Sequence, residues 1–178
     1  MLQLVGSTAK DGRPQVAKQQ QNVAQARRQA AVVMNDLLGH TVALGLQARR
    51  LRWHAVSPQY AMLREMLRHL VLDLETYGDR AAQRAVHLGA MAEGHIDARV
   101  ATDASNHRGI PEHRPFVMAA LGLLTLAVAS AAAQARHNMQ TVAALGDPVS
   151  EGVVGEVASG FEMWAWCLEI QLEALTDN

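Results

Sequence analysis

The stretch that decides the fold is "RWHAVSPQYAMLREMLRHLVLDLETYGDRAAQRAVHLG", residues 52–89. From Gln59 to Leu88 its apolar side chains Leu63, Leu67, Leu70, Leu74, Tyr77, Ala81, Ala85 and Leu88 recur at steps of three and four, the period of one helix face. Ser57 and Pro58 precede the run as start signals, and Gly89 follows it as a stop. The spacing predicts one long helix. Gly78 inside it costs about 1 kcal/mol relative to Ala, so it marks close packing or a slight bend.

Beside the leucine stripe lies a second line, Arg64, Arg68, Glu75, Asp79 and Gln83, basic toward its start and acidic toward its end. On a lone bundle this is a charged outer face that contributes little to stability. Crossed antiparallel about a two-fold axis, two copies would bring Arg64 and Arg68 of one onto Glu75 and Asp79 of the other. The planar fork of arginine suits such pairing, because it binds a carboxylate at two points.

Outward from this segment the same periodicity continues. Residues 18–55 lack proline, are rich in Gln, Ala, Arg and Leu, and place Val33, Leu37, Leu44 and Leu51 at helical spacing. Residues 90–112 are polar and without strong period, and are read as a long link with one short helix near 96–104. A third helix is expected over 114–145. Its run from Phe116 to Ala135 carries no charge, which raises a membrane span as an alternative; the dominance of alanine, with Ser, Thr and Gln, favours close packing in a soluble bundle. After "GDPVSEG" a fourth helix sets Val154, Val157, Phe161, Trp164, Leu168, Leu172 and Leu175 on one stripe. The fold class is therefore all-α, four long helices with a long second connection.

Composition agrees with one globular unit: 178 residues, 49% hydrophobic and a net charge of −1. The charge is unevenly placed. Lys10, Arg13, Lys18, Arg27 and Arg28 face Asp11 alone in residues 1–28, whereas from His137 onward there are seven acids and no Lys or Arg. Residues 1–28 are taken as a basic, flexible extension running into the first helix, able to grip phosphate through counterion release, and 29–178 as the bundle. The single cysteine, Cys167, excludes an internal disulfide framework and fits a reducing compartment, so the cytoplasm is the expected location. Met62 and Met66 are read as packing residues and Cys167 as a buried structural thiol.

The stretch 52–89, followed by Gly94 and closed by "VVGEVASGFEMWAWCLEIQLEAL", resembles the Dps family of mini-ferritins. That family typically shows a Trp after a His, a Gly-Pro-x-Phe/Tyr turn, a His-Glu pair, an Asp-x-x-x-Glu-Arg run and a Leu-Gly helix end. Trp53, Pro58, Tyr60, Glu65, Asp79, Arg84, Leu88 and Gly89 keep this pattern in register, and Trp164 with Glu169 fits the last helix. The resemblance, over about residues 30–175, implies a ferritin-like four-helix subunit with a short helix in its second connection. It further implies two-fold dimers in a hollow dodecamer, and an iron-oxidising centre whose ligands come from two subunits.

The family's ligands, in the order His, His, Asp, Asp and Glu, fall at positions 52, 64, 68, 79 and 83; this chain has Arg52, Arg64, Arg68, Asp79 and Gln83. Only Asp79 is retained. A guanidinium has no lone pair to give and repels a cation, by roughly 4 kcal/mol for unit charges 4 Å apart at an effective dielectric of 20. No catalytic residue and no cofactor are predicted, although the resemblance implies iron. The expectation is a ferroxidase position converted to an arginine–carboxylate interface lock of Arg52, Arg64, Arg68, Glu75, Asp79 and Gln83, or to an anion site if the carboxylates do not suffice.

Three functions follow from these readings. One is a protective or structural shell that binds DNA through Lys10, Arg13, Lys18, Arg27 and Arg28. Another is an active mini-ferritin that oxidises and stores Fe(II) through displaced ligands, with His54, His69 and Asp73 as candidates. The last is a partner subunit that co-assembles with an intact homologue in a mixed shell.

Overall fold

The computed structural model describes residues 12–94 and 113–177. Four long helices are present: α1 (Gly12–His54), α2 (Ala61–His87), α3 (His113–Ala144) and α4 (Pro148–Thr176). A single 3₁₀ turn, Pro58–Tyr60, leads into α2. The boundaries agree with the sequence expectation except at the start of α1, which is already helical at Gly12. Residues 12–17, which precede the helix expected from residue 18, are already helical because Gln, Ala and Arg are good helix formers and Pro14 lies within the first turn, where its missing N–H costs nothing. The short helix expected near 96–104 lies outside the described residues.

The stripes read from the sequence are the core. Val33, Leu37, Leu44 and Leu51 of α1, Leu63, Leu67, Leu70 and Leu74 of α2, and Val154, Val157, Phe161, Trp164 and Leu168 of α4 are all buried. From α3, Val117, Leu121, Leu124, Val128, Ala131, Ala132, Ala135 and Val142 join them. By length and composition α3 could cross a membrane; here it packs as one of the four bundle helices.

Side-chain pairs give the topology. Arg49 of α1 meets Glu75 of α2, and Thr41 lies against Gly78, so α1 and α2 are antiparallel. His54 at the end of α1 stacks edge-on against Phe116 at the start of α3, so α3 also runs against α1. The connection from α2 to α3 therefore crosses the bundle from end to end.

Local chemistry fixes both turns. At the end of α2, Gly89 takes φ +88°, its N–H donates to Val86 O and Ala90 N–H to Ala85 O, the paired bonds of a glycine-terminated helix. Asn35 then holds the start of the crossing: its Nδ2 donates to Met91 O at 3.0 Å and its Oδ1 accepts from Glu93 N at 2.9 Å. Gly146, with φ +70°, ends α3 in the same way. Asp147 caps α4 by accepting from Ser150 N at 3.1 Å, and Arg84 of α2 donates to both Asp147 carboxylate oxygens at 2.8 Å. Burial pushes the Asp147 carboxyl up, but the bonds from Ser150 and Arg84 outweigh it and hold it below the usual carboxylate range.

Two glycines set helix separations. A Cβ on Gly78 would lie 2.9 Å from Thr41 Oγ1, so the glycine marks close packing, one of the two readings of the sequence. A Cβ on Gly160 would run into the Tyr77 ring, 2.8 Å from its Cε2. Gly160→Ala is accordingly expected to destabilise the chain by about 1–3 kcal/mol, as overpacking does. Thermal unfolding of Gly160→Ala against the Gly160→Ala, Tyr77→Leu pair checks it; the second change should recover part of the loss.

Candidate functional site: an arginine-lined cleft

The end of α1 and the start of α2 are joined by a short turn, so residues on either side of it come together. Arg52, Trp53, Val56, Ala61, Arg64, Glu65 and Arg68 line one open cleft of about 480 Å³. Arg64 is exposed, Arg52 and Arg68 are half-buried, and Trp53 is 59% exposed at its edge. The three arginines singled out from the sequence thus share one site.

Glu65 is the acid of this cleft. It accepts from Arg68 Nη2 at 2.6 Å and from Arg68 Nε at 3.0 and 3.1 Å, and lies 3.0 Å from His69 Nε2. The Arg68 hydrogen bonds, first, and its charge, with help from His69, hold the Glu65 carboxyl at about 2, below its ordinary 4.5. Arg52 and Arg64 have no hydrogen-bond or ion-pair partner among the described residues.

Asp79 and Gln83, both exposed, are elsewhere. Asp79 borders a smaller groove between α1 and α2 with Glu75, Arg49, Thr41 and Gly78. Eleven residues of helix separate Arg68 from Asp79, roughly 16 Å at the helical rise. Within one chain the basic and acidic ends of the line do not meet. Glu75, expected to help lock two copies together, is already paired with Arg49 of its own chain, because the antiparallel register of α1 and α2 puts them opposite each other.

The displaced ligands do not converge either. His69 is held by Glu65 and Arg68, whereas Asp73 Oδ2 accepts from Trp164 Nε1 of α4 at 2.9 Å. His54 packs on Phe116 rather than lining the cleft. Among the described residues no group of three or more His, Cys, Asp or Glu side chains is arranged to hold a metal ion. Cys167 is half-buried and unpaired, Met66 packs on the core, and Met62 is exposed.

Of the basic residues near the N-terminus, Lys18, Arg27 and Arg28 are exposed along α1. Arg27 and Arg28 border a groove with Val16, Val23, Leu88 and Gly89. Lys10 lies outside the described residues, and Arg13 falls in the first turn of α1. Among the interactions that escaped the sequence reading are Arg49 with Glu75, Asp73 with Trp164, and Arg84 with Asp147 and Ser150. The last had a signal, since Asp147, Pro148 and Ser150 together spell a helix cap; the other two depend on which helices are neighbours.

No family model matches the chain. The DNA protection during starvation protein of Agrobacterium fabrum (strain C58) is 23% identical to it over 141 residues, 79% of this chain and 86% of that protein. Among solved structures, DpsC from Streptomyces coelicolor superposes with a TM-score of 0.71 at 21% identity, covering 83% of this chain and 86% of that one. The Dps protein of Vibrio cholerae, described as a member of a broad superfamily of ferritin-like diiron-carboxylate proteins, gives 0.68 at 17% identity, covering 84% and 92%. The chain has the ferritin-like four-helix fold. The family it resembles, in its residues and in its backbone, is Dps.

If the Arg68 contact sets the state of Glu65, the Glu65 carboxyl should remain ionised until the pH falls to about 2, and Arg68→Gln should return it toward 4.5. Because the folded value is depressed, whatever this pair adds to stability is present above 4.5 and lost as pH falls through about 2. Side-chain carboxyl NMR across an acid titration reads both values.

Proposed function

We propose that the chain is the subunit of a Dps-like cytoplasmic shell, built from two-fold dimers into a dodecamer, whose inter-subunit site has exchanged iron chemistry for arginine-mediated contact. One observation carries this reading: three guanidinium groups line a single cleft at the positions where the Dps resemblance calls for imidazole and carboxylate ligands. The residues present do not fit Fe(II) as a substrate. Arginine offers no lone pair, and the one acid in the cleft is engaged by Arg68.

Assembly is supported from two sides. The basic and acidic ends of α2 lie too far apart to meet within a chain, so Asp79 answers the arginines only from a second copy. Exposed apolar side chains also run along α3 and α4, Leu123, Leu126, Met163, Trp166 and Ile170, an unusual density for a lone subunit. The helical, exposed Lys18, Arg27 and Arg28 support phosphate contact by the N-terminal region, and the name of the Agrobacterium relative points the same way.

Purified native protein is expected to oxidise Fe(II) no faster than buffer, with oxygen or with peroxide. An Arg52→His, Arg64→His, Arg68→Asp, Gln83→Glu variant is expected to gain saturable turnover. Native turnover would overturn the proposal and direct attention to His54, His69 and Asp73. In sedimentation, Arg64→Ala and Asp79→Ala should each shift the population toward smaller species, since breaking one partner of a buried pair costs about 3–5 kcal/mol; unchanged assembly in both removes the lock. A native chain that does not close a shell alone favours the mixed-shell subunit.

A further inference from the structure

We infer that the arginine cleft binds a tetrahedral oxoanion, with inorganic phosphate as its simplest form. The inference rests on the reading that the cleft is not an iron site, and it names what occupies it instead.

Charge within the cleft is unbalanced. Arg52, Arg64 and Arg68 supply three positive groups, and the lining residues include one acid, Glu65. That acid is spent on Arg68 and His69. Arg52, from α1, and Arg64, from α2, are two cations with no side-chain partner among the described residues, and both line the same open space.

A facing copy does not restore the balance. Glu75 is held by Arg49 of its own chain, and Gln83 is neutral, so Asp79 is the remaining acid of the α2 line. Two guanidinium forks against one carboxylate leave donors unfilled, whereas an oxoanion accepts from both forks through different oxygens. The geometry suits such a guest: about 480 Å³ of open space, many times the roughly 30 Å³ that one water occupies, admits the anion with its own waters. Trp53, Val56 and Ala61 supply an apolar wall that limits competition from solvent on that side.

The test uses the full chain. Sodium phosphate is titrated against sodium chloride at matched ionic strength, with heat and tryptophan emission as readouts, and a Trp53→Phe control assigns the optical signal. Saturable phosphate binding is expected, weakened at least ten-fold in Arg52→Gln, Arg64→Gln and unchanged in Arg136→Gln, an α3 arginine paired with Glu162 away from the cleft. No saturable binding, or binding that the Arg52→Gln, Arg64→Gln change leaves intact, overturns the inference. A phosphodiester dinucleotide run in parallel separates sources: weaker binding than phosphate means a free anion, and equal or tighter binding means that a nucleic-acid backbone supplies the group.

Iron oxidation by the same preparation keeps the two readings apart. Absent turnover with absent phosphate binding removes the anion site and leaves the non-iron shell standing. Native turnover removes the shell reading whatever phosphate does.

Discussion

Where α4 passes α2, the backbone at Gly160 lies directly against the ring of Tyr77, with no side chain between them. This close approach sets the distance between the two helices, and the neighbouring contacts follow from it. Phe161 meets Tyr77 edge-on with centroids 6.1 Å apart, and Asp73 and Trp164 form their hydrogen bond one turn away. In the other direction Arg80 pairs with Glu156, and Arg84 reaches the Asp147 cap. Residues 73, 77, 80 and 84 thus form a helical face that meets α4 turn by turn. Burial, then the nearby Asp73 carboxylate, push the Tyr77 hydroxyl up, so it remains a neutral group in this seam.

With that face given to α4 and the leucine stripe given to the core, little of α2 is left. What remains includes the line Arg64, Arg68, Glu75, Asp79 and Gln83, alongside exposed apolar side chains such as Met62, Leu72 and Val86. Part of it turns to α1, where Arg49 takes Glu75, and the rest faces outward. The cleft is a by-product of this division: the turn at 55–60 is short, so Arg52 at the end of α1 comes beside Arg64 and Arg68.

Much of the fold was legible in the residues, because four amphipathic stripes, few breakers and one long polar link leave few arrangements. Leu63 to Leu88 could be assigned from spacing alone, and every leucine of that stripe up to Leu74 is buried. The membership of the cleft was legible through the resemblance, since Arg52 is far from Arg64 along the chain. Its wiring was not. The periodicity of α2 says that Glu75 and Arg68 share a face, but not that Arg49 claims one and Glu65 the other. Such choices depend on the register between helices, which side-chain volumes and glycine contacts decide. His69 and Asp73 illustrate the same limit: four apart on one helix, they turn to different neighbours.

Imidazole and carboxylate ligands change protonation within reach of cellular pH, and an iron centre changes valence as it works. A guanidinium does neither, since it stays protonated up to about pH 12, and its companion Glu65 stays ionised down to about pH 2. The three guanidinium groups therefore hold their charge through acid shock and oxidant alike. Any response to pH in a contact made through them lies with what they meet, not with the arginines.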